Sequence, residues 1–257
     1  MTSTRWALVT GATAGIGESF TRLLAAKGYN VALVARDEAR LHERAAGLRE
    51  KYGVQTFVLP ADLATDSGCK AVEDYISTYP IEVLINNAGF GIKFPFTQSQ
   101  IKAEQELLDV LVRTPMRLMH VILPGMKERN SGVIINVSSV ASFIAGGTYS
   151  ASKSYLTVLS ESVNTELKGT GIKVSALCPG FTRTEFHQRG KMKMSGLPNF
   201  MWLNADKLVE QAWKDAQANK PVSIPGWQYK LLVAIVSIAP RKFVRNIGMN
   251  IRKKQRT

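Results

Sequence analysis

Short apolar runs recur along this chain with helix-like stretches between them, and no other feature restricts its folding as much. The runs occupy residues 7–9, 31–35, 56–60, 83–86, 133–137 and 173–178. Each is nearly continuous in Val, Ile, Leu and Ala, as expected of strands covered on both faces. Helical periodicity fills the intervals at 18–27, 40–52, 67–79, 100–126 and 149–168, and a further helix and a last short strand with its turn are expected at 205–218 and 222–226. Alternation of this kind predicts a doubly wound parallel sheet with right-handed crossovers, three layers α/β/α. No repeat, linker or composition break divides residues 1–257, so one domain is the simplest expectation.

The first apolar run leads into Thr10-Gly11-Ala12-Thr13-Ala14-Gly15-Ile16-Gly17 and then into the first helical pattern. Read as strand, glycine turn and helix, the stretch has a physical use. Gly11 lets the chain turn off the strand, Gly15 leaves no Cβ where backbone must approach a pyrophosphate, and Gly17 lets the helix lie close to the strand. The helix N-terminus then offers unpaired N–H groups and the positive end of its dipole to phosphate. The spacing is Gly-x-x-x-Gly-x-Gly, and an ordinary glycine-rich turn has the same appearance.

Other strand ends carry polar groups that suit a nucleotide. The second strand ends in Val34-Ala35-Arg36, with no acid to hold ribose hydroxyls and a guanidinium placed for a 2′-phosphate, unless Arg36 is a plain surface arginine. Asp62 before Leu63 is placed to accept from an adenine amino group or to cap the helix that follows. Asn86-Asn87-Ala88-Gly89 gives two amides able to bridge loops, then two small residues that let a ligand approach backbone. The fifth strand runs into Ser138-Ser139, and Tyr149 and Lys153 follow four residues apart, on one face of a helix. A lysine ammonium one turn from a phenol, with a positively charged nicotinamide nearby, favours the phenolate and brings its pKa from about 10 towards the working range. Serine, tyrosine and lysine so placed suit hydride transfer, with the tyrosine moving the proton. Elsewhere the same spacing is most often a surface pair.

With these motifs in order, the chain resembles the short-chain dehydrogenase/reductase family. The resemblance rests on Thr10-Gly11-x-x-x-Gly15-Ile16-Gly17, Asp62-Leu63, Asn86-Asn87-Ala88-Gly89, Ser139, Tyr149-x-x-x-Lys153 and Pro179-Gly180-x-x-x-Thr184, and covers residues 5 to about 185. It implies a Rossmann-type fold and catalysis by Ser139, Tyr149 and Lys153: the tyrosine as acid/base, the lysine lowering its pKa and holding the nicotinamide ribose, the serine orienting the carbonyl. It implies a cofactor site of Gly11, Thr13, Ala14, Gly15, Ile16, Gly17, Arg36, Asp62, Leu63, Asn87, Ala88, Gly89, Tyr149, Lys153, Pro179, Gly180, Thr182 and Thr184. Arg36 after Ala35 resembles the NADP(H)-preferring branch, and homodimers or homotetramers are common in the family. The helices at 100–126 and 149–168 have apolar faces to spare for such contacts. Two departures stand out. Leu111 occupies the place of the family's helix asparagine, and an apolar side chain can neither hold a water nor kink the helix by hydrogen bonding. The interval from Ser139 to Tyr149 is short, which leaves Ser138 as an alternative serine.

Composition narrows the setting. Cys69 and Cys178 are far apart and without ligand spacing, which suggests a reducing compartment and no metal site. The N-terminal residues enter the first strand at once, without a signal peptide, so a cytoplasmic protein is expected. The net charge of +13 is concentrated at the end: Arg241, Lys242, Arg245, Arg252, Lys253, Lys254 and Arg256 occur with no acid in 241–257. Nucleic acid is not the expected partner. Residues 185–203, with Phe186, Met192, Met194, Leu197, Phe200, Met201 and Trp202, are expected to form a flap over an apolar substrate, or else to close the core. The extension at 227–257, apolar and then basic, suits peripheral membrane contact, packing on a partner subunit, or a roof over the substrate, the last two being preferred. The function expected is NADP(H)-dependent interconversion of a carbonyl and a secondary alcohol, on a hydrophobic ketone or 3-oxoacyl substrate. The alternative is a non-catalytic NADP(H)-binding or interaction protein of the same fold.

Overall fold

A computed structural model describes residues 5–185, 198–242, 244 and 245. In chain order its main elements are β1 (Trp6–Thr10), α1 (Gly15–Ala26), β2 (Asn30–Ala35), α2 (Glu38–Tyr52), β3 (Thr56–Pro60), α3 (Asp66–Thr78), β4 (Ile81–Asn86), α4 (Ile101–Leu108), α5 (Thr114–Glu128), β5 (Gly132–Val137), α6 (Thr148–Glu166), β6 (Ile172–Leu177), α7 (Ala205–Gln217), β7 (Val222–Ser223) and α8 (Trp227–Ile238). The strands form one parallel sheet in the order β3-β2-β1-β4-β5-β6-β7.

The continuous apolar runs are explained by cover on both faces. Ala7, Val9, Val31 and Leu33 point into one core, shared with Phe20 of α1, Leu41 of α2 and Val209 of α7. Their neighbours Leu8, Ala32 and Val34 point into the other, with Val72 of α3, Leu118 of α5 and Leu156 of α6. Full burial of each Val or Leu contributes about 1.5–3 kcal/mol, so neither face tolerates a polar alternation.

Helix starts follow the side chains available as caps. The Asp37 carboxylate accepts from the Arg40 N–H at 3.0 Å at the head of α2, and the Thr65 hydroxyl accepts from the Gly68 N–H at 3.1 Å at the head of α3. Helix α1 begins at Gly15, earlier than the periodicity from residue 18 suggested, and its N-cap Ala14 supplies no side-chain hydrogen bond.

The stretch expected as one helix at 100–126 is α4 and α5 joined by a wide π-type turn, Asp109–Arg113, with Leu111 buried at its centre. The distortion therefore arises without the family's asparagine. Pro115 has no N–H to give to the carbonyl four residues back, at Leu111, and a missing rung of this kind is a standard cause of a helix irregularity.

Candidate active site

Strands β1, β4, β5 and β6 end at one edge of the sheet, and the chain reverses its direction of winding between β1 and β4. The crevice outside those carboxyl ends is where such sheets take ligands. One wall is the glycine turn. Gly15 has φ +57°, and a Cβ there would stand 2.9 Å from the Thr184 side chain; a Cβ on Gly17 would stand 2.2 Å from the Gly11 oxygen. Turn and Thr184 therefore face each other closely, beside the free N–H groups of α1. Bare backbone donors at a helix end without a side-chain cap suit a pyrophosphate.

Asn87 fastens this wall to β4. Its Nδ2 donates to the Thr10 and Gly11 carbonyls at 2.9 and 3.1 Å, while the Asn87 and Ala88 N–H groups donate to the Thr10 hydroxyl at 2.9 and 3.0 Å. The Asn87 amide is thus a brace, and its side chain is occupied in holding the loop. Thr13 and Leu63 are buried. Arg36 is exposed just past β2. Arg44 of α2 bonds the Thr13 carbonyl at 3.5 Å, and Arg40 pairs with Glu185 at 3.1 Å, joining α2 to the segment after Thr184. Exposed Asp62 accepts from the Ala64 N–H at 3.1 Å; the helix cap is Thr65, not Asp62.

The other wall carries the chemistry. Tyr149 and Lys153 lie on the first turns of α6, and the Ser139 hydroxyl is hydrogen-bonded to the Tyr149 phenol. Ser139 also accepts from the Ala141 N–H at 3.1 Å and approaches the Pro179 carbonyl at 3.5 Å. Ser138 points the other way. Its buried hydroxyl donates to the Lys153 carbonyl at 2.8 Å and lies 2.7 Å from the Thr157 hydroxyl, so it clasps α6 to β5. Of the two serines, only Ser139 faces the phenol.

The Lys153 ammonium donates to the Val137 carbonyl at 2.6 Å and lies 5.7 Å from the Tyr149 ring centre. Burial of the lysine, only 4% exposed, brings its pKa down to about 8. Burial likewise pushes the Tyr149 phenol up to about 12, against the opposing hydrogen bond from Ser139. Among the protein's own groups burial thus outweighs hydrogen bonding at the phenol, and the expected lowering by Lys153 together with the nicotinamide cation concerns the cofactor-bound protein. Between this lysine and the π-type turn lies a cavity with room for about one water, bordered by Thr10, Asn86, Leu111, Thr114 and Lys153. The Asn86 Oδ1 is buried there without a hydrogen-bond partner.

Residues 5–194 match the family described as short chain dehydrogenase. The chain belongs to that family. The dehydrogenase is 30% identical to the very-long-chain 3-oxoacyl-CoA reductase of Anas platyrhynchos, over 98% of this chain and 81% of the relative. Among solved structures it is similar to a short-chain dehydrogenase from Sphingobium yanoikuyae in complex with NADPH, with TM-score 0.83, 31% identity and 92% and 96% of the two chains covered. The bulky-bulky ketone specific alcohol dehydrogenase from Comamonas testosteroni gives TM-score 0.77 and 29% identity, covering 92% and 95%. Fold and family together make this chain an oxidoreductase that interconverts a carbonyl and an alcohol.

The third side of the dehydrogenase's crevice depends on a residue that the sequence motifs do not single out for the site. Tyr229 of α8 is buried; its hydroxyl accepts from the Phe181 N–H at 3.0 Å and donates to the Met201 carbonyl at 2.6 Å. Its ring covers Gly180, where a Cβ would stand 2.0 Å from the ring. A glycine at 180 that must lie bare under something large was the only signal for it. Thr182 is buried, donates to the Gly180 carbonyl at 3.0 Å and pairs with Leu203, so it shapes the loop from within. Of the expected flap, Asn199–Met201 forms a short turn and Phe200 is exposed. Phe186, Met192, Met194 and Leu197 lie outside the described residues. The basic end beyond Arg245 does so as well.

Proposed function

We propose that this dehydrogenase reduces the 3-oxo group of a hydrophobic acyl substrate to the 3-hydroxy product, with NADPH as the reductant. The observation that carries the proposal is the hydrogen-bonded Ser139–Tyr149 pair beside Lys153, at the crevice opposite the glycine turn. The reductase name of the similar Anas protein supports the acyl substrate, and the NADPH of the Sphingobium structure together with exposed Arg36 supports the phosphorylated cofactor.

The glycine turn and α1 N-terminus would hold the pyrophosphate, Arg36 the 2′-phosphate, and Lys153 the nicotinamide ribose. Bound NADPH supplies a hydride to the carbonyl carbon. Ser139 orients the carbonyl oxygen, and Tyr149 gives that oxygen its proton as the C=O bond becomes C–O. Burial raises the Tyr149 phenol, so it holds its proton at neutral pH and is ready to donate it.

The test is NADPH and NADH oxidation by the purified protein across 3-oxoacyl thioesters and ketones of graded chain length. Tyr149→Phe is expected to bind NADPH as the parent does and to lose about 10²–10⁴-fold in turnover, the usual span for one acid/base group. Arg36→Ala is expected to weaken NADPH and leave NADH unchanged, read by fluorescence titration. Tight NADPH binding with no turnover of any carbonyl would favour the non-catalytic alternative instead. We also propose that two copies meet through α5 and α6, whose Met116, Tyr155 and Val158 are exposed together.

A further inference from the structure

Helix α8 has one face committed to the site and another that none of the described residues covers. Tyr229, Val233 and Val236 are buried on one face, and Tyr229 there holds the crevice loops at Phe181 and Met201. At about 100° per residue, Trp227, Leu231, Ile235 and Ile238 fall within about 80° of one another on the opposite side. They are 71%, 55%, 46% and 87% exposed. The stripe ends at Pro240, and exposed Arg241, Lys242 and Arg245 follow at once. The sequence continues with Arg252, Lys253, Lys254 and Arg256 and contains no acid after residue 240. Phe200, also largely exposed, is joined to this helix, since its carbonyl accepts from the Gln228 side chain at 2.9 Å.

We propose that α8 docks this dehydrogenase on an anionic membrane surface. Trp227, Leu231, Ile235 and Ile238 enter the acyl-chain boundary, and Arg241, Lys242 and Arg245 lie among the lipid phosphates. The chemistry matches on both counts: an apolar stripe with an aromatic at its start, followed by a basic run, is how a helix lies in a bilayer interface. Among the described residues no helix is long and apolar enough to cross a membrane, so α8 lies on the surface. A second copy is the weaker occupant, because four side chains expose at most a few hundred Å², against about 800 Å² per partner in a stable complex. The same helix carries Tyr229, which holds Phe181 and Met201 at the crevice. Docking through the opposite face therefore holds the crevice one helix diameter, about 10 Å, from the lipid surface where an acyl substrate collects. That last step rests on the proposed acyl reduction; the docking does not.

The experiment uses the whole chain with vesicles of phosphatidylcholine alone and of phosphatidylcholine with phosphatidylserine. The parent is expected to float with the anionic vesicles and to be released by high salt. A variant with Trp227→Ser, Leu231→Ser, Ile235→Ser and Ile238→Ser is expected to bind them at least about tenfold more weakly. Replacing Arg241, Lys242 and Arg245 by Gln is expected to remove the preference for anionic lipid. Both variants keep the parent's melting temperature and its turnover of a short, water-soluble 3-oxoacyl thioester; the first loses turnover of a long-chain one presented in vesicles. Equal flotation of parent and serine variant, or no flotation of the parent, overturns the docking. So does a parent dimer that becomes monomeric in the serine variant without lipid. Failure of every 3-oxoacyl substrate with flotation intact refutes the proposed reaction and leaves the docking standing.

Discussion

Burial strips water from the Lys153 ammonium, which has a carbonyl and, among the described residues, no carboxylate beside it, so folding changes how tightly it holds its proton. Its folded pKa of about 8 lies below its ordinary 10.5. Between these values the unfolded chain binds more protons than the folded one, and stability rises with pH. Tyr149 has the opposite sign: with its pKa raised from 10 to about 12, the folded state keeps a proton that the unfolded state loses, and stability falls across that window. Urea unfolding of the parent and of Lys153→Met at a series of pH values is therefore expected to diverge. From about pH 8 to 10 the parent gains on the variant, with a slope of at most about 1.4 kcal/mol per pH unit. Parallel curves would mean that the lysine is not desolvated as described. The divergence belongs to one residue, and the two serines before it illustrate the same precision. One step along the chain separates Ser138, bonded to α6, from Ser139, bonded to the phenol.

Elements carry the next set of consequences. Gly17 lies where α1 crosses β1, with no room for a side chain, whereas Gly47 in α2 has nothing within 4 Å of an added Cβ. Gly17→Val is expected to abolish dinucleotide binding in a fluorescence titration and to lower the melting temperature. Gly47→Ala is expected to raise stability by about 0.5–1 kcal/mol with activity unchanged, as usual for glycine in an exposed helix interior. Strands and helices of this kind were legible in the sequence because a strand buried on both faces has to be apolar throughout, and Tyr149 and Lys153 were legible because a helix turn fixes their spacing. What escaped was set by contacts between distant segments. The choice between Ser138 and Ser139 needed the strand's register against α6. The direction of the Tyr149 shift needed the surroundings that bury it. The turn around Leu111 was missed because the reading weighed only the side chain at that position, whereas the missing N–H lies four residues on, at Pro115. The part of Tyr229 in the site required a partner nearly fifty residues away.

For the molecule as a whole, the exposed face shared by α5 and α6 predicts assembly. Val158→Asp places a charge on that face, and sedimentation is expected to show a dissociated protein that still binds NADPH; an unchanged sedimentation coefficient would move the contact elsewhere. The Tyr229 phenol has a different consequence, one that concerns biosynthesis. The Phe181 N–H finds its acceptor 48 residues further along the chain. At roughly 5–20 residues per second, the ribosome needs about 2–10 s to supply it. Through that interval the sheet can pair as far as β6 while the loop at Gly180 still lacks its cover. A nascent chain stalled shortly before Tyr229 would therefore hold a sheet paired as far as β6 and an unfinished crevice, and acquires its catalytic shape only as α8 emerges.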